Sequence, residues 1–383
     1  MSSDRLLLIK AWSYILWADV NHVLGQLLIA ELTNRIPVVY WSTYCLHNGF
    51  VQTNGFELYF EPVSNYTIFN IAKPDYTFYP PIWDCDNLLI EDKNKETWAY
   101  RSIGDFMCSN ANVVVCDVHF DVYEIIPFIK KTHPAYGMTV NQIYRYLFNK
   151  YIKIKPDIEM EIQGFYNSWL KGSHPVLAVH VRRFDKDWEF DTTNFQTNHK
   201  LQILCLNKYK KKTKEKTEKK CKTRRRGKVI EPNKVYHPEI RKCIEKYNIK
   251  KIFLLTDCEE TVKEYRELYG SKVVLTDCIR IPGDGTVSDL ENPMVKRRRG
   301  IELIKDAYIA SKCDFFIGND FSSLSRAVTQ IKDWPGGSVK LLYWLIKKRK
   351  YPVNIEIMQK TEFRFLKNLM ERIRKFFDKS EKP

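Results

Sequence analysis

The residues with the clearest chemical content are consecutive: His180-Val181-Arg182-Arg183-Phe184-Asp185-Lys186. They begin inside an apolar run, Val176–Val181 (VLAVHV), that reads as a buried strand, and they leave it at its carboxyl end. Open α/β sheets bind their ligands in the crevice outside the carboxyl ends of the strands. Two adjacent arginines at such a place are poor core residues, because an unpaired guanidinium is costly to bury. Arginine offers a rigid fork of donors that matches phosphate oxygens, and Asp185 is placed to hold one fork by a bidentate pair. A structural salt-bridge cluster would use the same residues. Residue chemistry by itself leaves both readings open.

The elements around this run are those of a parallel sheet. Leu6–Lys10, a helical stretch from about Asn21 to Thr33 and the β-branched run Ile36–Tyr40 spell strand, helix, strand. Residues 45–98 carry Tyr, Phe, Pro and Asn without a period and read as loops. Asn112–Val118 reads as a strand, followed by helices near Val140–Lys150 and Ile158–Leu170. Beyond Val176–Val181 the expected order is a helix near Pro238–Tyr247, strand Lys251–Thr256, helix Glu259–Tyr269 and strand Lys272–Leu275. A helix from about Gly300 to Ser311, a last strand Asp314–Ile317 and a helix Ser322–Ile331 follow. Alternation of this kind gives a doubly wound α/β fold. The turn-rich run Lys171–Pro175 separates an N-terminal domain, 1–172, from a C-terminal one, 173–335, and leaves a tail, 336–383. In the tail, Leu366, Leu369, Met370, Ile373 and Phe377 fall on one helical stripe with basic residues mostly elsewhere. Such a helix usually packs on its own protein. Peripheral contact with a membrane is its other use.

Composition narrows the function classes. The 383 residues are 44% hydrophobic and 14% aromatic, which supports packed cores and excludes wholesale disorder. No run of about 18 apolar residues occurs, so no spanning helix is expected. The opening MSSDRLLLIKAW lacks the apolar length of a secretory signal, so a soluble, cytoplasmic protein is the expectation. The net charge of +16 points toward nucleic acid until it is located. Lys208–Lys228 alone holds 13 Lys/Arg and two Glu, so that low-complexity insertion carries most of the excess. The body of the chain is ordinary, and nucleic acid is the weaker reading. The ten cysteines form no CxxC pair and no zinc-spaced cluster, which fits reduced, structural thiols. Asp84-Cys85-Asp86 mimics the DxD metal motif but lies in an irregular Pro/Trp-rich region. Signatures of P-loop, HExxH and GxGxxG sites are missing from the sequence.

HVRRFDK resembles the HVRR-x-DK motif of the core-type α-1,6-fucosyltransferases and their nodulation relatives, a family that uses GDP-fucose. The likeness continues in order through Thr256-Asp257, Arg299-Gly300, Asp306, Cys313-Asp314-Phe315 and Phe321-Ser322-Ser323. It implies a GT-B fold of two facing Rossmann-like domains with a C-terminal helix, the donor bound by the second domain. It further implies that Arg182 and Arg183 neutralise the pyrophosphate, with Ser322, Ser323 and the amides opening their helix as further donors. His180 and Asp306 would meet the guanine, Asp257 the sugar or the arginines, and Lys186 the fucose or phosphates. An inverting transfer needs a base for the acceptor hydroxyl. Glu189 is the nominee, with Asp187 and Asp191 as alternatives. It stands one residue short of the family's offset, and the turn Gly318-Asn319-Asp320 is one residue longer than the family's. The insertion 208–228 has no family counterpart, so acceptor and linkage are the open points. The reaction implied is metal-independent fucosyl transfer to a glycan or glycoconjugate hydroxyl, with no cofactor beyond the nucleotide-sugar donor. Aromatic residues Tyr76–Tyr79 and Trp83 are expected to face the acceptor. A transferase using another nucleotide sugar, and a basic nucleic-acid binder built on Lys208–Lys228 and Lys296–Arg299, are the competing readings.

Overall fold

The computed structural model describes residues 5–12, 15–42, 47–50, 52–89, 102–182, 233–280, 292–320 and 322–342. Two parallel sheets organise them. The first holds β1 (Leu6–Lys10), β2 (Ile36–Tyr40), β3 (Phe78–Tyr79) and β4 (Val113–Cys116) in the order β2-β1-β4-β3. The second holds β5 (Val176–His180), β6 (Lys251–Leu255), β7 (Val273–Val274), β8 (Phe315–Asn319) and β9 (Val339–Leu342) in the order β7-β6-β5-β8-β9. Every pairing within both sheets is parallel. Strand direction of this kind requires crossover helices that cover both faces, which is why the inner strands β1, β4, β5 and β6 are nearly continuous apolar runs.

The crossovers are α1 (Leu16–Leu32) in the first sheet, and α7 (Asn233–Tyr247), α8 (Glu259–Tyr269), α9 (Pro293–Ser311) and α10 (Ser323–Ile331) in the second. Short helices α2 (Ile68–Ile71), α3 (Ile103–Cys108) and α4 (Val122–Ile125) flank the first sheet, and α5 (Val140–Tyr151) and α6 (Pro156–Trp169) lead into the second. The strands bury alternate residues on opposite faces. Leu7, Ile9, Val114 and Cys116 of the first sheet share one contiguous core with Val176, Ala178, Phe253 and Phe316 of the second. The opposite faces form separate clusters, Leu6, Leu8, Val113 and Val115 in one, Leu177, Val179, Ile252 and Leu254 in the other. The two halves are therefore joined by packed apolar residues as well as by the chain. At the join the His174 ring bridges Tyr166 (2.9 Å) and Asp314 (2.6 Å), and the same Asp314 oxygen accepts the Val176 N–H.

In each sheet the order in which strands are added reverses once, between β1 and β4 and between β5 and β8. Such switch points are where α/β sheets bind ligands. The carboxyl edges of the two sheets approach each other. Asp121, just past β4, feels the charge of Arg326 in the first turn of α10, and His47, past β2, feels Lys296 and Arg299 of α9. This is the α/β, GT-B-type arrangement expected from the sequence.

Several boundaries differ from expectation for physical reasons. Helix α1 starts at Leu16, not Asn21, because it is buried on nearly all sides and shows no apolar stripe. Helix α9 starts at Pro293 instead of Gly300. Asn292 caps it, its side chain accepting the Met294 N–H at 2.8 Å, and Pro293 occupies the first helical position. The stretch read as loop contains β3, and the segment read as the start of a helical tail contains the edge strand β9, so Asp314–Ile317 is not the last strand. The amphipathic stripe of 363–377 lies outside the described residues.

Candidate active site

His180 ends β5 at the second sheet's switch point, and its side chain is buried. Its Nδ1 lies 2.7 Å from Ser325 Oγ, which accepts the Asn319 N–H at 3.0 Å. One hydroxyl thus ties together the carboxyl ends of β5 and β8 and the first turn of α10. Burial, and then the nearby Arg182 charge, lower the His180 pKa to about 3, so the ring is neutral. With Nδ1 engaged by Ser325, this buried ring serves the packing of the sheet edge.

This contact depends on Gly318. A Cβ there would stand 2.6 Å from Ser325 Oγ and 2.6 Å from the Phe316 ring. Gly318→Ala is expected to cost about 1–3 kcal/mol through overpacking, read by urea unfolding. Ser325→Ala strands the buried Asn319 N–H and His180 Nδ1 and is expected to cost about 1–3 kcal/mol in the same measurement. Retention of full stability by Ser325→Ala would remove the latch.

Arg182 follows one residue beyond the strand. Its Nη1 donates to Asp257 Oδ2 at 2.9 Å, at the end of β6, with the arginine side chain 46% exposed. An ion pair this open contributes about 0.2–1 kcal/mol. Its consequence is orientation: one nitrogen is held while other donors of the fork stay accessible. Asp257 Oδ1 is buried and has no hydrogen-bond partner among the described residues. Arg183, Asp185, Lys186, Asp187, Glu189 and Asp191 lie outside the described residues.

Ser322 is the N-cap residue of α10, yet its hydroxyl makes no capping bond. The expected place at a helix N-terminus is realised, and capping does not consume the hydroxyl. Ser323 is the first helical residue. The insertion 208–228 and Phe321 lie outside the described residues.

Helix α9 borders the site with a polar row. Arg299, Glu302 and Asp306 follow one another at spacings of three and four, on one face. Asp306 Oδ1 accepts the Thr276 hydroxyl at 2.7 Å, beyond β7. Burial, reinforced by Glu302, raises the Asp306 pKa to about 6 against the lowering effects of Thr276 and Arg280. Burial likewise raises Glu302. An open cleft of about 450 Å³ runs between α8 and the segment after β7, lined in part by Thr276, Cys278 and Arg280.

Three other basic residues of α9 are engaged. Arg297 pairs with Asp157 (3.4 Å), Arg298 with Glu161 (3.0 Å) and Lys305 with Glu161 (2.7 Å), all across to α6. Arg297 and Arg298, the middle of the Lys296–Arg299 run, are thus spent on an interhelix seam, which weakens one of the two features behind the nucleic-acid reading.

Two expectations in the first half are resolved. Trp83 is 6% exposed, its Nε1 donating to Asp117 at 2.6 Å and Lys10 Nζ lying 3.9 Å from its ring center. A ring so covered offers no face to a sugar. Tyr79 packs edge-on against Phe106. Asp84 is engaged in a local turn, its Oδ1 accepting the N–H groups of Asp86 (2.9 Å) and Asn87 (3.0 Å). Among the described residues no group of three or more His, Cys, Asp or Glu is placed to hold a metal ion. No helix among them is long and apolar enough to cross a membrane.

Fold and site together define a two-sheet α/β protein with an arginine at the switch point of its second sheet. Among solved structures it is similar to NodZ alpha-1,6-fucosyltransferase soaked with GDP-fucose, at 16% identity and a TM-score of 0.47 over 85% of this chain and 91% of that one. The fucosyltransferase NodZ from Bradyrhizobium gives 16% identity and a TM-score of 0.48 over 85% and 92%. POFUT1 in complex with GDP-fucose gives 14% and 0.44 over 91% and 99%. No protein-family model matches the sequence, and no curated protein does. At these scores the chemistry of the site rests on its own residues.

Proposed function

We propose that the protein is a glycosyltransferase that moves L-fucose from GDP-fucose to a hydroxyl of a glycan or glycoconjugate. The observation that carries this reading is Arg182, at the carboxyl end of the central strand of a doubly wound sheet, held by Asp257 with part of its fork open. Breaking the bond between the fucose anomeric carbon and the diphosphate leaves negative charge on GDP. A fixed guanidinium stabilises charge that develops in the transition state without reorganising. The uncapped Ser322 hydroxyl and the first N–H groups of α10 lie past the neighbouring strand and suit the same oxygens. Asp306, buried behind Thr276 of the cleft beside β7, suits the N–H donors of guanine.

The reaction is a direct displacement with inversion and needs no metal, its countercharge coming from Arg182 and Arg183. Lys186 acts beside the fucose or the phosphates. Glu189, or else Asp187 or Asp191, takes the proton of the acceptor hydroxyl as it attacks. Incubating the purified protein with GDP-fucose, without and with glycan acceptors, and measuring GDP release tests the reading. Release from GDP-fucose and not from UDP- or CMP-sugars is the expected result. Stabilisation by UDP or CMP but not GDP in a thermal-shift panel favours a different nucleotide sugar.

A further inference from the structure

Arg299 is 8% exposed, yet its Nε and Nη2 are buried with no hydrogen-bond partner among the described residues. These two nitrogens form the side edge of the guanidinium, whose parallel N–H bonds fit two oxygens of one anion. Carboxylates supply charge without a bond: Glu302 and Asp257 act on it from a distance. A buried cation without hydrogen bonds destabilises the fold. Proteins retain such costs where function needs them. The location is consistent with that. Arg299 sits on α9 where it faces the first half of the chain, close enough to His47 to act on its charge, and close to the Asp257 that holds Arg182. Its helix is fixed there by the seam to α6 and by Gly300, which abuts the Tyr59 ring.

We propose that Arg299 is a second anion-binding residue of the site, receiving phosphate oxygens of the diphosphate that Arg182 also binds, with Asp257 coupled to both guanidinium groups. This deepens the nucleotide-sugar reading and rests on it. In the free protein the Asp257 carboxylate is shared unevenly, bonded to Arg182 and only electrostatically coupled to Arg299. A bound diphosphate would supply the acceptors that Arg299 lacks.

The test compares wild type with Arg299→Met and Arg299→Lys, using inorganic pyrophosphate, GDP and guanosine as probes in thermal-shift and calorimetric titrations. The Met variant, freed of an unpartnered buried charge, should melt higher than wild type without ligand. Its affinity for pyrophosphate and GDP should fall at least tenfold, with guanosine affinity unchanged. Lysine, a point charge without the fork, should fall between the two. Unchanged pyrophosphate and GDP affinities in Arg299→Met overturn the proposal while leaving the nucleotide site intact. So does a Met variant that melts lower and loses guanosine affinity in equal measure, which marks a structural cation. A wild-type protein that binds neither GDP nor pyrophosphate removes the proposal together with the nucleotide reading beneath it.

Discussion

Arg182→Ala is expected to lower GDP release from GDP-fucose by roughly 10²–10³-fold, the range for loss of one preorganised donor to a developing negative charge. Its melting temperature should stay within about 4 °C of wild type, because the exposed pair with Asp257 is worth at most about 1 kcal/mol. The combination is diagnostic. A residue that served only to bind β5 to β6 would lose stability and turnover together. Arg182→Lys keeps the charge but not the fork, and should recover binding more than turnover, since geometry matters most at the transition state. Initial rates of GDP release, with circular-dichroism melting on the same samples, make the measurement. Near-normal turnover in Arg182→Ala would remove the donor site from this edge of the sheet.

The second large effect concerns pH and Asp306. Its folded pKa of about 6 stands above the ordinary value of 3.8 because burial disfavours the carboxylate. The folded state therefore binds more protons than the unfolded chain between about pH 4 and 6. The stability contributed by this group is fully present below about pH 4 and is lost as pH rises through about 6. Two units correspond to about 3 kcal/mol. Asp306→Asn lacks the titration, so its unfolding free energy should decline less than that of wild type between pH 4.5 and 7.5 in urea. Ligand binding runs the other way. The N–H donors of guanine need the ionised carboxylate, so GDP affinity should increase as pH rises through about 6 and level off above it. In Asp306→Asn only the dependence set by the terminal phosphate of GDP, which ionises at about pH 6, should remain, with affinity at pH 7.5 lowered about 10–100-fold, as expected for a hydrogen bond to a charged acceptor. Parallel stability profiles for the two proteins, or a GDP affinity indifferent to the substitution, would place guanine elsewhere.

The stability cost at Asp306 and the unpartnered guanidinium of Arg299 belong to one helix face. Local rules of burial are broken there and kept in the strands nearby. Such departures are where functional groups are expected.

The comparison of sequence with fold divides along physical lines. The long apolar strands were legible because a parallel strand buried on both faces needs an unbroken run of apolar residues, and Leu6–Lys10, Ile36–Tyr40 and Val176–His180 have one. The two-residue β3 and the half-exposed β9 were not, since neither run is long or apolar enough to stand out against loop. The start of α9 was written in Asn292-Pro293 but masked by the charges that follow. The places of Arg182 and Ser322, just past a strand and at the opening of a helix, were legible because both are local features. Ser325, Arg299 and the covered ring of Trp83 were not. Ser325 matters only because it meets a histidine 145 positions away. Arg299 looks in sequence like its neighbours Arg297 and Arg298, which find carboxylates on α6 while it finds none. The order of residues determined the elements and the edge of the sheet where a ligand belongs. Only the packed chain decided which polar side chains were satisfied by other protein groups and which were left with open donors, because hydrogen-bond partners and burial are set by residues remote in sequence.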